Sequence, residues 1–189
     1  MKEILDDVII RRLLIKRFSS YKNTKVIEER TTYSGKVRAD IVTVSNRICG
    51  FEIKSDKDNV KRLPNQIKEY DKSFEKNYIV VGNKNKVKVI QMIPSYWGII
   101  YIKHKNKSDF TLSFLRRARI NPNINFTSVI GLINSTTIKT IVNNNFNNYL
   151  NVSKKDIRQL SKFDLISLLD NTLNQSMKRK FLKIIRSEL

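Results

Sequence analysis

Asp40, Glu52 and Lys54 are the residues whose types and spacing could do chemistry. They lie in two apolar runs, ADIVTV (39–44) and CGFEIKS (49–55), joined by a polar Ser45-Asn46-Arg47 turn. Two β-branched runs that close together read as a β-hairpin. Side chains alternate along a strand, so Glu52 and Lys54 project to one side while Ile53 points to the core. Asp40, near the start of the partner strand, can share the face of Glu52. Two carboxylates so placed could hold Mg²⁺ or Mn²⁺, hard cations that prefer oxygen ligands. The bound ion would acidify a water and neutralise charge on a phosphate. Lys54 could orient that water or stabilise the transition state as a fixed positive charge. The same three residue types also arise by chance as a surface salt bridge. Charge alternating inside strongly apolar strands points instead to a cleft, because burying an unpaired charge is costly.

The surrounding residues carry a family resemblance. Val37-Arg38-Ala39-Asp40-Ile41, followed by Gly50-Phe51-Glu52-Ile53-Lys54-Ser55-Asp56, resembles the core of the PD-(D/E)XK nuclease superfamily. Ala39 stands where that pattern usually has proline. Arg62-Leu63-Pro64-Asn65-Gln66 with Tyr70 resembles the Gln-X-X-X-Tyr element on the helix after the catalytic hairpin. Ile93-Pro94-Ser95-Tyr96-Trp97-Gly98-Ile99 and Arg116-Arg117-Ala118-Arg119-Ile120-Asn121-Pro122 resemble a small, poorly characterised bacterial branch of the superfamily. The resemblance spans roughly residues 1–122. It implies a restriction-endonuclease-like α/β core, a mixed central sheet flanked by helices in αβββαβ order. It further implies a metal-dependent endonuclease, a hydrolase of DNA acting in repair, recombination or defence against mobile DNA. Asp40 and Glu52 would be the metal ligands and Lys54 the catalytic lysine, with Gln66 and Tyr70 lining the site. An auxiliary acid is expected upstream, with Glu29 preferred over Glu28, Asp6 or Asp7.

Composition agrees with a nucleic-acid partner. The 189 residues hold 37 Lys and Arg against 17 Asp and Glu, a net charge of +20. Basic residues outnumber acidic ones in both halves, so no isolated basic tail explains the excess. Such a balance favours an anionic partner: DNA first, with RNA also open. Arg38, Lys57, Arg62, Arg116, Arg117 and Arg119 are the candidate phosphate contacts. A solvated basic surface would give the same composition without a ligand. One cysteine, Cys49, excludes an intrachain disulfide and a multi-cysteine zinc site. A single His104 argues against histidine-based nucleases, and the five glycines form no phosphate-binding loop. The acidic start MKEILDD does not read as a signal peptide, and no apolar run approaches a membrane span. A cytoplasmic protein is expected.

The elements needed to position these residues can be read in outline. Ile4, Val8, Leu13 (or Leu14) and Phe18 predict an opening helix, and TKVIEER (24–30) a strand. Leu63, Ile67, Tyr70 and Phe74 predict a helix with Pro64 in its first turn. NYIVVG (77–82) and SYWGIIYIK (95–103) read as strands, while VKVIQMIP is ambiguous between helix and strand. Trp97 reads as core. The polar KHKNKSD run suggests a nuclease-like core over 1–107 and a helical C-terminal extension over 108–189. Ser153 to Asp156 and Ser161 to Asp164 have helix-capping spacing. A last helix from about Met177 places Phe181, Ile184 and Ile185 on one face. The C-terminal helices could join two copies or dock a protein partner. A non-catalytic nucleic-acid-binding module and a partner-docking subunit are the alternatives to the nuclease.

Overall fold

The computed structural model describes residues 5–106, 109–150 and 152–189. Ile4 and the expected boundary at 107/108 lie outside the described residues.

A first helix, α1 (Asp7–Ser19), starts at Asp6, whose carboxylate accepts the Ile9 amide hydrogen. Its buried face is Ile9, Ile10, Leu14 and Phe18, whereas Val8 is 73 % exposed. The expected stripe is thus displaced at its N-terminal end. Ile10, Leu14 and Phe18 follow the four-residue helical spacing more closely than Val8 does. Three strands follow as an antiparallel meander: β1 (Lys25–Thr31), β2 (Arg38–Val44) and β3 (Ile48–Lys54). The second helix, α2 (Leu63–Ser73), carries Pro64 in its first turn, where a missing amide hydrogen costs no helical bond. It leads to β4 (Lys76–Val81), parallel to β3. The ambiguous 87–94 segment contributes a helix, α3 (Lys86–Met92), before β5 (Gly98–His104), parallel to β4.

The chain after 108 opens with a strand, where a helical region was expected. This strand, β6 (Phe110–Arg116), pairs antiparallel with β5, from Ile100 opposite Phe114 to His104 opposite Phe110. Phe110, Leu112 and Phe114 alternate with Thr111 and Ser113, the period-two signal of a strand. The protein is therefore a mixed α/β fold with a six-stranded sheet in the order β1-β2-β3-β4-β5-β6. Helices then fill the rest: α4 (Phe126–Ile130), α5 (Ser135–Asn145), a 3-10 turn at Asn147–Tyr149, α6 (Lys154–Gln159), α7 (Lys162–Thr172) and α8 (Gln175–Glu188). Ser153 and Ser161 cap α6 and α7 by accepting from the Asp156 and Asp164 amides, each at 3.1 Å. Asn174 caps α8, which buries Phe181 and Ile185.

The sheet divides the core in two. On one face α1 packs over Ile41, Phe51, Ile53, Val80 and Ile100. On the other, Val42, Ile79, Val81 and Ile99 join Leu63, Tyr70 and Phe74, and the same cluster continues into Val129, Ile138, Phe181 and Ile185. The later helices thus share a core with the sheet. Arg186 of α8 adds an ion pair to Glu75 at 2.5 Å, just before β4. Asp71, on the buried side of α2, accepts from Asn77 (3.0 Å), Tyr96 (2.6 Å) and the Trp97 indole (2.8 Å). Trp97 is therefore core, as its apolar neighbours suggested.

Gly50 fixes how closely α2 approaches β3. A Cβ there would lie 2.4 Å from Cδ2 of Phe74, a fully buried ring that also packs edge-on against Tyr70. Gly50→Ala is expected to destabilise the protein by about 1–3 kcal/mol through overpacking. A denaturant titration checks this; an unchanged midpoint would mean that Phe74 moves freely.

Candidate functional site

The hairpin register sets the geometry of the site. Ile41 lies opposite Phe51 in the β2–β3 ladder, which puts Asp40 across from Glu52. Phe51 and Ile53 turn to the α1 face, so Glu52 and Lys54 turn to the α2 face. Both are buried, Glu52 at 1 % and Lys54 at 5 % exposure. The Lys54 ammonium donates to Glu52 Oε1 at 2.5 Å, and the Gln66 amide donates to the same oxygen at 2.5 Å. Tyr70, one helical turn beyond Gln66 on α2, donates its hydroxyl to the Phe51 carbonyl at 3.1 Å. Glu52 Oε2 and Gln66 Oε1 are buried without a hydrogen-bond partner.

Asp40 is held differently. Its Oδ2 accepts the Ile53 amide at 2.7 Å. Arg11 of α1 donates to the Asp40 carbonyl at 2.7 Å and lies 3.4 Å from its Oδ1. Burial raises the Asp40 carboxyl to about 7, with the nearby Glu52 charge as the second cause. The Ile53 amide, Arg11 and Lys54 pull the other way. Burial likewise raises Glu52, against the opposing pull of Lys54. Tyr70 is raised by burial first and then by the charges of Glu52 and Asp40.

The upstream acids separate clearly. Glu28 pairs with Ile41 and Arg30 with Ala39, leaving Glu29 opposite Asp40. Glu29 lies in the left-handed region at φ 55°, an uncommon state for a residue with a side chain. Its carboxylate reaches Arg11 at 3.0 Å and also pairs with Arg38. Asp6 is spent as the α1 cap, and Asp7 pairs with Arg11 at 3.1 Å. Arg11 links Asp7, Glu29 and Asp40, yet the sequence reading missed it. Its available signal was Asp7 four residues earlier on the same helix.

A cavity of about 320 Å³ opens beside Asp40, lined by Lys36, Arg38, Arg62, Asn65 and Gln66 with Val37. Arg38 and Arg62 were among the expected phosphate contacts; Lys36 and Asn65 were not. Lys57 lies elsewhere, paired with Asp6 at 3.2 Å. The arginine cluster is on the far edge of the sheet. Arg116 is committed to the Trp97 and Pro94 carbonyls at 2.6 and 2.9 Å, Arg119 to Ser95 at 3.2 Å, and Arg117 lies over the Phe114 ring. These three are not brought to the Asp40 pocket.

Asp40 and Glu52 were the expected metal ligands; Glu52 is instead buried and held by Lys54 and Gln66. Among the described residues no group of three or more His, Cys, Asp or Glu side chains converges as a metal cage. No helix among them is long and apolar enough to cross a membrane.

The profile of the family described as Bacteriophage P4 protein cII matches residues 3–189. Protein cII of Enterobacteria phage P4 is 25 % identical over 181 residues, covering 89 % of this chain and 68 % of that protein. No solved structure matches. These matches correct the assignment to a bacterial branch of the PD-(D/E)XK superfamily, and with it the metal-dependent nuclease and hydrolase readings. The metal-binding description falls with them, since no metal cage forms among the described residues. The physical reason lies in the shortness of the Asp…Glu-X-Lys pattern: an internal ion pair between Lys54 and Glu52 satisfies it as well as a catalytic centre would. The chain belongs to the bacteriophage P4 protein cII family.

Proposed function

We propose that the chain is a nucleic-acid-binding protein that grips the phosphate backbone at the pocket beside Asp40. The observation that carries this is the lining of that pocket, Lys36, Arg38 and Arg62 around the half-buried Asp40, on a chain of net charge +20. Guanidinium groups match phosphate oxygens in a two-pronged geometry, and an ammonium adds a point charge. Asp40, raised to about 7, opposes a phosphate less than an ordinary carboxylate would. We further infer a restriction-endonuclease-like scaffold used for binding; the order α1, β1–β3, α2, β4 supports it. DNA is the favoured ligand, and the cytoplasm the place of action.

Fluorescence anisotropy with labelled duplex DNA, single-stranded DNA and RNA over a salt series tests the reading. Affinity should fall linearly on a log-log scale with salt, as neutralised phosphates release counterions. Replacing both Arg38 and Arg62 by Ala should lower the slope by about 2, one for each lost phosphate contact. An unchanged slope, or no binding at low salt, would sink the proposal.

A further inference from the structure

Arg30 of β1 and Lys162 at the start of α7 meet at the turn between α4 and α5. Arg30 Nη2 donates to the Leu132 carbonyl, and Lys162 Nζ donates to the Gly131 carbonyl at 2.7 Å. The Lys162 ammonium also stands over the Tyr33 ring, 5.6 Å from its centroid. Neutral carbonyls and a ring hold both cations in place without cancelling their charge. Among the described residues no carboxylate forms an ion pair with either one. Arg30 Nε is shut off from solvent and has no acceptor. Burial lowers the pKa of both groups, and the nearby Arg30 charge lowers Lys162 further. Two like charges fixed together in this way favour an anion between them.

A cavity of about 470 Å³ lies in front of the pair, walled by the end of β1 from Glu29, the following Thr32 and Tyr33, and the Gly131–Asn134 turn. Glu29, its one acidic wall residue, is already engaged by Arg11 and Arg38. That Glu29–Arg38 pair also joins this cavity to the pocket beside Asp40, which Arg38 lines. Thr31 of β1 lies directly opposite Arg38 in the ladder. The two cavities therefore share one rim of the sheet.

We propose that Arg30 and Lys162 form a second anion site, taking the next stretch of a nucleic-acid backbone that passes the Asp40 pocket. The site itself is independent of the nucleic-acid reading; its use for a backbone phosphate rests on it. Lys162→Gln keeps a donor for the Gly131 carbonyl and removes the charge. In wild type, inorganic phosphate titrated at fixed ionic strength should shift the Leu132, Ile133 and Asn134 amide signals saturably. In Lys162→Gln the shift should be lost, and Lys162→Arg should restore it, which a purely structural lysine would not predict. The salt slope for DNA in Lys162→Gln should fall by about 1. Amide signals unmoved by phosphate, or moved equally in Lys162→Gln, would overturn the anion site. Wild-type DNA affinity and slope in Lys162→Gln, with binding lost in the Arg38 and Arg62 double variant, would overturn the backbone role while the nucleic-acid reading stands. Phosphate binding at this turn by a wild type that binds no nucleic acid would overturn the nucleic-acid reading and the backbone role together, while the anion site stands.

Discussion

Lys54→Met is expected to destabilise the protein by about 3–5 kcal/mol, the usual cost of leaving a buried charge without its partner. Glu52 is buried in the middle of the sheet, and Lys54 supplies its opposing charge at 2.5 Å. The hydrogen bond from Gln66 cannot replace that charge. The deficit should depend on pH with a definite sign. Burial already raises Glu52 in the native protein, and losing Lys54 raises it further. An acid whose folded pKa lies above its unfolded one loses stability as pH rises through that interval. Lys54→Met should therefore be much closer to wild type at pH 5 than at pH 8. Adding Glu52→Gln should recover most of the loss, because the pair is then removed as a unit. Denaturant unfolding of both variants at the two pH values checks this; a loss equal at both would mean Glu52 is not the group left stranded.

Asp40→Asn should act in the opposite direction, stabilising the protein at alkaline pH. The Asp40 carboxyl rises from its ordinary 3.8 to about 7 on folding, chiefly through burial. Below about 4 it is protonated in both states and the variant should match wild type. Between about 4 and 7 the unfolded chain releases its proton while the folded one retains it, so wild-type stability falls as pH rises. The substituted carboxamide stays neutral and still accepts the Ile53 amide. It should gain roughly 2–4 kcal/mol at pH 8 after the weakened Arg11 contact is counted. The same substitution should flatten the pH dependence of DNA affinity between 6 and 8, since no charge then develops beside the phosphate. Parallel stability curves for wild type and variant would refute the shift.

Much of this geometry was legible because it is local. The Asp40–Glu52–Lys54 hairpin follows from strand alternation, and Gln66 and Tyr70 share a helix face because they are four apart. The strands up to β5 were readable one by one, whereas the 87–94 segment that forms α3 stayed ambiguous. What failed was non-local or weakly patterned. Arg11 is 29 residues from Asp40, and nothing but the fold brings them together. The β6 strand was overlooked because its alternation includes Thr111 and Ser113, residues that also suit a helix start. Lys36 and Asn65 join the pocket only through the packing of α2 on the hairpin. The nuclease assignment failed for another reason. Asp, Glu and Lys at those spacings specify only a close cluster of charge, whereas membership follows from the whole chain, and that matches the phage P4 cII family from residue 3 to residue 189.

The left-handed backbone at Glu29 has a consequence for solubility. With β6, β1 forms one of the two open borders of the sheet, where unpaired amide and carbonyl groups invite another chain to add a strand. A straight border would be a template along its whole length. The reversal of φ at Glu29 breaks the regular spacing of those groups midway, and Glu28, Glu29 and Arg30 put charge on the break. A foreign strand could align with one half of β1 or the other but not run through both. The distortion that brings a carboxylate to Arg11 and Arg38 thus also guards the sheet against fibrillar growth at the border nearest the proposed ligand.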